Sequence, residues 1–247
     1  MNATSTSGEY VRTFNRYEFK YVIAEAQAEA LIRDLEPYTL PDPHSPTERG
    51  YPVYSLYWDS PDLVFFWEKI DGQKYRRKLR FRLYEGADAA FVEIKQRIDQ
   101  TVQKRRTLLG REEVQALFGS GAIDATKEHA VTDPVLQEAL ILCRRHLLEP
   151  KVAISYRRRA FFARFEHDLR ITFDTRLQYD ARALDIRQRF ETGKYLIPAD
   201  RAVLEIKFNH TVPLWLTKLV GKHELMSRRF SKYARAADLE HFQGRHT

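Results

Sequence analysis

The chain has 247 residues, of which 43% are hydrophobic, and its 41 Lys and Arg against 34 Asp and Glu give a formal net charge of +7. This length and apolar content are enough for a sizeable core and exclude a wholly disordered chain. The 15 Phe and 13 Tyr, beside only 10 Gly and 10 Pro, favour a fold rich in β-strands.

Nothing in the sequence indicates a membrane span or a secretory signal. No apolar stretch reaches the roughly 20 residues that cross a bilayer, and the best one, at 135–148, is interrupted by charged residues. The first ten residues, MNATSTSGEY, lack the order of charged and then apolar residues that marks a signal peptide. The single Cys143 can form no internal disulfide and lies in an apolar helical pattern, so we expect it to be buried. The sequence predicts a cytoplasmic protein.

The first half predicts a disordered polar tail at 1–10, followed by the start of a single domain that covers 11–247. In chain order it then predicts a strand at 12–21, a helix at 24–35, a proline-rich loop at 37–52, a strand at 53–60, a helical or extended segment at 63–70, and strands at 74–86 and 89–99 that form a hairpin around Gly86.

The second half repeats this β-rich pattern. In chain order it predicts a strand at 103–109, a short helix at 111–118, a polar linker at 119–134, a helix from Pro134 to Leu148, strands at 152–165, 169–177 and 202–209, and two helical segments at 213–222 and 226–242.

Several of the predicted strands combine an apolar face with a cationic one. Successive side chains of a strand point to opposite faces, so Glu18 and Lys20 share a face with Arg16, against Phe19. The same alternation occurs in three further strands, which place in phase Lys78, Arg80 and Arg82, then Glu93, Lys95 and Arg97, and finally Glu205 and Lys207.

Each charged face alone is typical of the solvated side of an antiparallel sheet. Their repetition favours a sheet curled around a positive, water-filled interior, where closely packed cations require an anion. Arginine forks and lysine point charges suit the oxygens of a triphosphate or a longer phosphate chain. The in-phase carboxylates Glu18, Glu93 and Glu205 are candidate ligands for Mg²⁺ or Mn²⁺. Glu205, between two apolar residues, is the best candidate, and an ion pair with an interior Arg is the alternative.

Seven ordered segments resemble a known family. They are RYEFK at 16–20, KLRFRLY at 78–84, VEIKQR at 92–97, SYRRRAF at 155–161, LRITFDT at 169–175, VLEIKF at 203–208 and RRFSKY at 228–233. Together they resemble the catalytic domain of the VTC (vacuolar transporter chaperone) family, the polyphosphate polymerase branch of the triphosphate tunnel metalloenzymes. The resemblance covers about residues 12–239. It implies an α+β fold, an antiparallel β-barrel with flanking helices.

The resemblance also implies an activity and a set of site residues. The activity is a metal-dependent phosphotransferase that moves the terminal phosphate of ATP to a growing polyphosphate chain, with Mn²⁺ or Mg²⁺. The residues that match the motifs are Lys20, Arg80, Arg82, Lys95, Arg158, Arg170 and Lys232, with Glu205 as the metal ligand. Lys207, in phase with Glu205, joins the phosphate-binding set. Arg157 and Arg159 flank Arg158, so which of the three faces the interior stays open.

Two alternatives to a polymerase remain: a tunnel enzyme that hydrolyses tripolyphosphate or a nucleoside triphosphate, and a non-catalytic polyphosphate-binding module. Hydrolases and cyclases of the superfamily resemble each other in a Glu-x-Glu-x-Lys strand, where this chain has Arg16-x-Glu18-x-Lys20. Exchanging a carboxylate for a cation favours a long anionic product. Phe19 and Phe81 lie opposite the cations, so nucleic acid is not expected as a partner. We expect ATP and polyphosphate as partners; the sequence leaves a membrane-protein partner and the oligomeric state open.

Overall fold

The structure is a computed structural model and describes residues 17–43, 49–84, 86–99, 101–118, 131–182, 184–185 and 193–247. The predicted tail at 1–10, Arg16 and the linker residues 119–130 lie outside the described residues.

The described residues contain ten strands in one antiparallel sheet. They are β1 (Tyr17–Ala24), β2 (Thr39–Pro41), β3 (Tyr51–Asp59), β4 (Tyr75–Tyr84), β5 (Ala89–Ile98), β6 (Thr101–Gly110), β7 (Glu149–Ala163), β8 (Arg170–Asp180), β9 (Lys194–Tyr195) and β10 (Arg201–Phe208). The main path runs β1-β10-β8-β7-β3-β4-β5-β6, with β2 paired to β7 and β9 paired to β8.

Six helices in the same part of the chain flank the sheet. They are α1 (Glu25–Leu35), α2 (Val64–Ile70), α3 (Arg111–Phe118), α4 (Pro134–His146), α5 (Leu214–Lys222) and α6 (Lys232–His241). The Asp133 carboxylate accepts a hydrogen bond from Leu136 N at 2.8 Å and caps α4, whose first residue is Pro134 as predicted. The predicted α+β class, a large antiparallel sheet with flanking helices, is confirmed.

The apolar strand faces point outward, under the helices. Leu79 of β4 and Ile94 of β5 pack with Leu140 of α4 in one core. Ile171 of β8 and Leu204 of β10 belong to a second core beneath α1. Cys143, within the first of these cores, is buried as predicted. Because neighbouring side chains alternate between faces, covering the apolar faces outside turns the charged faces inward.

The sheet curls until its two ends approach each other. Lys95 of β5 contacts Glu18 of the edge strand β1, with 3.2 Å between Lys95 Nζ and Glu18 Oε2, although five strands separate β1 from β5 along the path. Backbone pairing between the edge strands β1 and β6 does not occur in the described ranges, so side chains rather than a ladder bridge this seam. The curl gives the charged faces a common interior.

The C-terminal segment differs from the prediction of one helix at 226–242. Residues 225–231 are not helical, and α6 begins at Lys232. Arg228 N donates to Lys20 O at 2.7 Å, which binds this segment to β1. Ser231 Oγ then caps α6 by accepting a hydrogen bond from Ala234 N. Pairing with β1 and the serine cap outweigh the helical pattern of the sequence.

Helix α6 is anchored by a buried polar contact. The Tyr233 hydroxyl donates to the Asp59 carboxylate, which also accepts hydrogen bonds from the backbone of α2, at 2.8 Å from Phe65 N and 2.9 Å from Phe66 N. The Tyr233 ring stacks on Tyr57 of β3, with 5.2 Å between ring centroids. This contact fixes the first turn of α6, which begins at Lys232, against the sheet.

None of the helices in the described residues is long and apolar enough to cross a membrane.

We expect Tyr233→Phe to lower the free energy of unfolding by about 1–3 kcal/mol, because the buried Asp59 carboxylate loses a donor. Urea denaturation measures this loss. The matched control is Tyr179→Phe, since Tyr179 is also buried but its hydroxyl has no hydrogen bond within the described residues. A loss of equal size in the control would show that the Asp59 contact does not stabilise the fold.

Candidate functional site

The inward strand faces bring together charged side chains from distant parts of the sequence. Three groups of charged side chains lie inside the curl. The first is centred on Glu205 and Glu18, the second on Asp174 and the third on Glu93, and α6 contributes one side chain, Lys232. The cations of these groups are Lys20, Arg80, Arg82, Lys95, Lys104, Arg158, Lys207 and Lys232.

Glu205 on β10 is the centre of the first group. Its Oε2 lies 2.6 Å from Lys207 Nζ, and its Oε1 lies 3.0 Å from Lys232 Nζ. Lys20 Nζ and an Arg158 nitrogen are slightly further away, at 3.6 and 3.7 Å. Burial alone would raise the pKa of the Glu205 carboxyl, but the four surrounding cations hold this pKa well below its usual range. Glu205 is therefore an ionised carboxylate with cations at both oxygens.

Glu18 on β1 is a second carboxylate that shares cations with Glu205. Lys207 Nζ lies 3.6 Å from Glu18 Oε1 and 2.6 Å from Glu205 Oε2, so this ammonium stands between the two carboxylates. Lys20 also contacts both carboxylates. Burial lowers the pKa of Lys207 to about 8, although both carboxylates act in the opposite direction. The two carboxylates therefore offset only part of the effect that burial has on the pKa of Lys207.

Arg158 on β7 resolves the register that the sequence left open. Its Nε and Nη2 donate to the two oxygens of Asp174 at 2.6 and 2.7 Å, in a bidentate pair. Lys232 Nζ lies 2.6 Å from the same carboxylate. Arg157 and Arg159 point elsewhere: Arg157 donates to the backbone of residues 49 and 50, and Arg159 pairs with Glu29 of α1. Arg158 is therefore the interior arginine.

Glu93 on β5 is the centre of the third group. Arg80 Nε donates to Glu93 Oε2 at 2.6 Å, Arg82 lies 3.8 Å from the same oxygen, and Lys104 contacts the other oxygen. Arg80 faces Glu93 directly across the β4–β5 ladder. Burial lowers the pKa of Lys104 to about 7, despite the contact with Glu93.

Tyrosines connect this group to the other two. The Tyr57 hydroxyl accepts from Arg80 Nη1 at 2.9 Å, and the Tyr156 hydroxyl accepts from Arg82 Nη2 at 3.2 Å. Lys232 Nζ also lies over the Tyr156 ring, 4.9 Å from its centroid. The cations of Glu93 and those of Glu205 therefore line one continuous interior surface.

Arg170 is a predicted site residue that pairs with a carboxylate outside these groups. It lies opposite Lys207 in the β8–β10 ladder, but its Nη2 donates to Asp42 at 2.6 Å and its guanidinium lies over Phe162. The buried Arg170 Nε has no hydrogen-bond partner among the described residues. Arg170 thus stands beside the interior with a donor still available.

The predicted metal ligands divide between two groups. Glu18 and Glu205 share Lys20 and Lys207, whereas Glu93 lies with Arg80, Arg82 and Lys104. Within the described part of the chain, no three His, Cys, Asp or Glu side chains come together as a ready metal cluster. Among the predicted ligands, Glu18 and Glu205 are the two that approach each other.

The sequence reasoning missed Lys104, Asp174, Tyr57 and Tyr156 as parts of the site. Asp174 lies within a segment that carries the family resemblance. It follows Thr172 by two residues, so both side chains lie on the inward face of β8, and this strand parity could have identified Asp174. Lys104 could be found only from the β5–β6 register, which places it opposite Lys95. The tyrosines depend on how β3 and β7 meet across the curl.

Comparison with known proteins places this architecture in a family. A family model described as the VTC domain matches residues 15–241. No curated protein is similar enough in sequence to count as a relative. Among solved structures, a "putative adenylate cyclase" from Bacillus halodurans is similar with a TM-score of 0.55 and 12% identity, covering 94% of this chain and 97% of that one. The PH1819 protein from Pyrococcus horikoshii OT3 has a TM-score of 0.46 and 11% identity, covering 90% and 98%. Because the sequence identity is so low, the similarity to the Bacillus halodurans protein shows a shared fold alone.

We expect Arg158→Gln to lower the free energy of unfolding by about 3–5 kcal/mol, because it leaves the fully buried Asp174 with one cation fewer. Arg159→Gln is the matched control, since it breaks an ion pair with Glu29, whose side chain is 47% exposed, and we expect it to cost about 0–1 kcal/mol. Urea denaturation of both variants checks the assignment. A larger loss for Arg159→Gln would mean that Arg159 is the interior residue.

Proposed function

This chain belongs to the VTC domain family, and on that premise we propose that it is a polyphosphate polymerase that transfers the terminal phosphate of ATP to a growing polyphosphate chain. The observation that carries the proposal is the convergence of cations from β1, β4, β5, β6, β7, β10 and α6 on one interior surface. These side chains offer both arginine forks and lysine ammonium groups, which is what a chain of phosphates requires along its length.

Arg80 and Arg82 are assigned to the triphosphate. They project in phase from β4, and each contacts Glu93 and a tyrosine hydroxyl; Arg82 is buried and Arg80 is half-buried. Among the described residues, Arg80 uses Nε for Glu93 and Nη1 for Tyr57, and its Nη2 makes no short carboxylate contact. Fixed forks of this kind stabilise charge on a transferring phosphoryl group without having to reorganise.

Arg158 and Lys232 are also assigned to the triphosphate. Asp174 holds both side chains, Arg158 through a bidentate pair and Lys232 at 2.6 Å. Because Asp174 orients them before any ligand binds, little side-chain entropy is lost when they contact a phosphate. Arg170, whose Nε lacks a hydrogen-bond partner in the described part of the chain, is assigned to the phosphate next to Lys207.

Lys20 and Lys95 are assigned to the acceptor phosphate. Both are held by Glu18, at 3.7 and 3.2 Å. In the transfer, a terminal oxygen of the acceptor forms a bond to the γ-phosphorus of ATP, and the bond from that phosphorus to the β-γ bridging oxygen breaks to release ADP. The cations at Glu18 reduce repulsion between the two anionic reactants.

Glu18 and Glu205 fit a divalent metal ion. The Lys207 ammonium lies between their carboxylates, which is a position for a bridging cation, and Mg²⁺ or Mn²⁺ is commonly bound by one or two carboxylates together with substrate phosphates. The buried hydroxyl of Thr172, opposite Glu205 in the ladder, has no hydrogen-bond partner among the described residues. When bound there, a metal ion would offset charge on the phosphate oxygens. Lys207 would have to move toward the phosphates.

Incubation of the purified protein with ATP and Mn²⁺, followed by electrophoresis stained for polyphosphate, tests the proposal. We expect a ladder of long chains together with ADP. Release of free phosphate without a ladder would instead show a tunnel hydrolase, and an unchanged ATP concentration would show a binding module.

We expect Glu205→Gln to reduce metal-dependent turnover by at least about a hundredfold, because the interior loses the carboxylate that holds Lys207, Lys232 and a metal ion. Glu138→Gln is the matched control: it removes a carboxylate paired with Arg105 on the helix-covered side, and we expect nearly normal turnover. Thermal denaturation of both variants shows whether the fold is intact. Normal turnover in a folded Glu205→Gln variant would contradict the assignment.

A further inference from the structure

The inward strand faces carry an apolar group at one end of the curled interior. We name it the apolar rim: Tyr51 of β3, Tyr84 of β4, Phe91 of β5 and Leu108 of β6. Phe91 lies opposite both Arg82 and Leu108 in the sheet, so these three side chains share the inward face. None of the four rim residues is among those assigned to phosphate or metal.

The rim borders the arginines assigned to the triphosphate. Tyr84 follows Arg82 by two residues on β4, so both side chains lie on the same face, roughly 7 Å apart along the strand. Tyr51 lies opposite Arg158 in the β3–β7 ladder. Burial raises the pKa of the Tyr51 hydroxyl, whereas Arg158 and Arg170 act in the opposite direction, which places both guanidinium groups near this hydroxyl. A triphosphate on these arginines therefore has the rim at one of its ends.

The rim is accessible to solvent, although its side chains are apolar or aromatic. Leu108 is 54% exposed, and Tyr51, Tyr84 and Phe91 are only half-buried. Phe91 and Leu108 belong to none of the three hydrophobic cores of the described residues. Helix α6 lies toward the other end of β4, where Lys78 donates to the serine that caps the helix. The rim thus offers apolar surface to a ligand that reaches the interior from its own side.

The rings of the rim are arranged to contact a flat group. Tyr84 and Phe91 meet edge to face, with 6.0 Å between ring centroids, and Tyr51 is inclined at 52° to Tyr84. Because neighbouring rings are inclined rather than stacked on each other, they keep ring faces for a ligand. The Arg106 guanidinium lies 4.7 Å from the Phe91 centroid, and Arg106 contacts no carboxylate among the described residues. Aromatic rings and guanidinium planes both stack on nucleobases.

We propose that the apolar rim binds the purine base of the nucleoside triphosphate, so that Phe91, Tyr84 and Arg106 determine which phosphate donor the protein prefers. The inference rests on the proposed function and adds a donor selectivity to it. Tripolyphosphate, which has no base, contacts the cation groups alone, whereas ATP also contacts the rim. A purine covers more ring surface than a pyrimidine, so ATP binds more tightly than CTP.

The test compares ligands with and without a base in the variant Phe91→Leu. Calorimetric titration in metal-free buffer, which prevents the metal-dependent transfer, measures the dissociation constants of ATP, CTP and tripolyphosphate. We expect the ATP constant to rise about tenfold, because the base loses a stacking ring, and the tripolyphosphate constant to stay within about twofold. In the unsubstituted protein we expect ATP to bind at least about threefold more tightly than CTP.

A second variant, Leu108→Ser, changes an exposed position, where substitutions rarely disturb folding. It removes the apolar side chain opposite Phe91, and we expect the ATP constant to rise about threefold with an unchanged tripolyphosphate constant. Thermal denaturation of both variants shows that the fold is intact.

The matched control is Phe19→Leu, the same substitution on the outward face of β1. There the ring packs on Phe208, with 5.3 Å between centroids, on the side of the sheet away from the cations. We expect it to change neither the ATP nor the tripolyphosphate constant by more than about twofold.

Three results would overturn the inference. An ATP constant that changes no more in Phe91→Leu and Leu108→Ser than in the control would show that the rim does not contact the base. An equal loss for ATP and tripolyphosphate would place Phe91 in the phosphate site, and equal affinities for ATP and CTP in the unsubstituted protein would show that no purine is selected.

The outcome for the proposed function is separate, because it is read from the unsubstituted protein. If that protein binds neither ATP nor tripolyphosphate, the proposed function fails. If it makes polyphosphate from ATP while Phe91→Leu binds ATP normally, only the base-binding site fails.

Discussion

Charge compensation inside the curled sheet is the interaction on which the rest of the structure depends. Buried cations destabilise a fold unless carboxylates pair with them, and here Glu18, Glu93, Asp174 and Glu205 do so for cations from seven elements. The pair of Lys95 with Glu18 forms only if β5 and β1 meet across the interior, which requires the curl. The curl in turn leaves the apolar faces outside, where the helices must cover them.

The same compensation prepares the interior for an anion. Each carboxylate shares its cations: Lys207 lies between Glu18 and Glu205, and Lys232 lies between Asp174 and Glu205. A phosphate that enters therefore exchanges partners with a carboxylate, and does not have to order mobile side chains.

Strand parity in the sequence is enough to predict which side chains share the interior, because the period of two is fixed by strand geometry. It predicts Arg80 with Arg82 and Glu205 with Lys207, whereas the α+β class was implied by the family resemblance. Parity does not predict which strands are neighbours, so the Asp174–Arg158 pair and the contact of Lys104 with Glu93 were missed. The expected helix at 226–242 was wrong over its first turns because Arg228 pairs with Lys20, a contact between the two ends of the chain that no local pattern contains.

The position of α6 also depends on the charge of the site, because charged side chains of the interior hold its first turn. Lys232 is held by Asp174 and Glu205, and Lys78 donates to the serine that caps the helix. A phosphate that draws Lys232 and Lys78 toward itself weakens both attachments at once. Tyr233 then becomes the remaining anchor, through its hydroxyl on Asp59 and its ring on Tyr57, and Asp59 is not one of the carboxylates that a phosphate would displace. The helix can therefore follow a ligand at its first residue, Lys232, while its second residue, Tyr233, keeps it docked through the buried contact of its hydroxyl with Asp59.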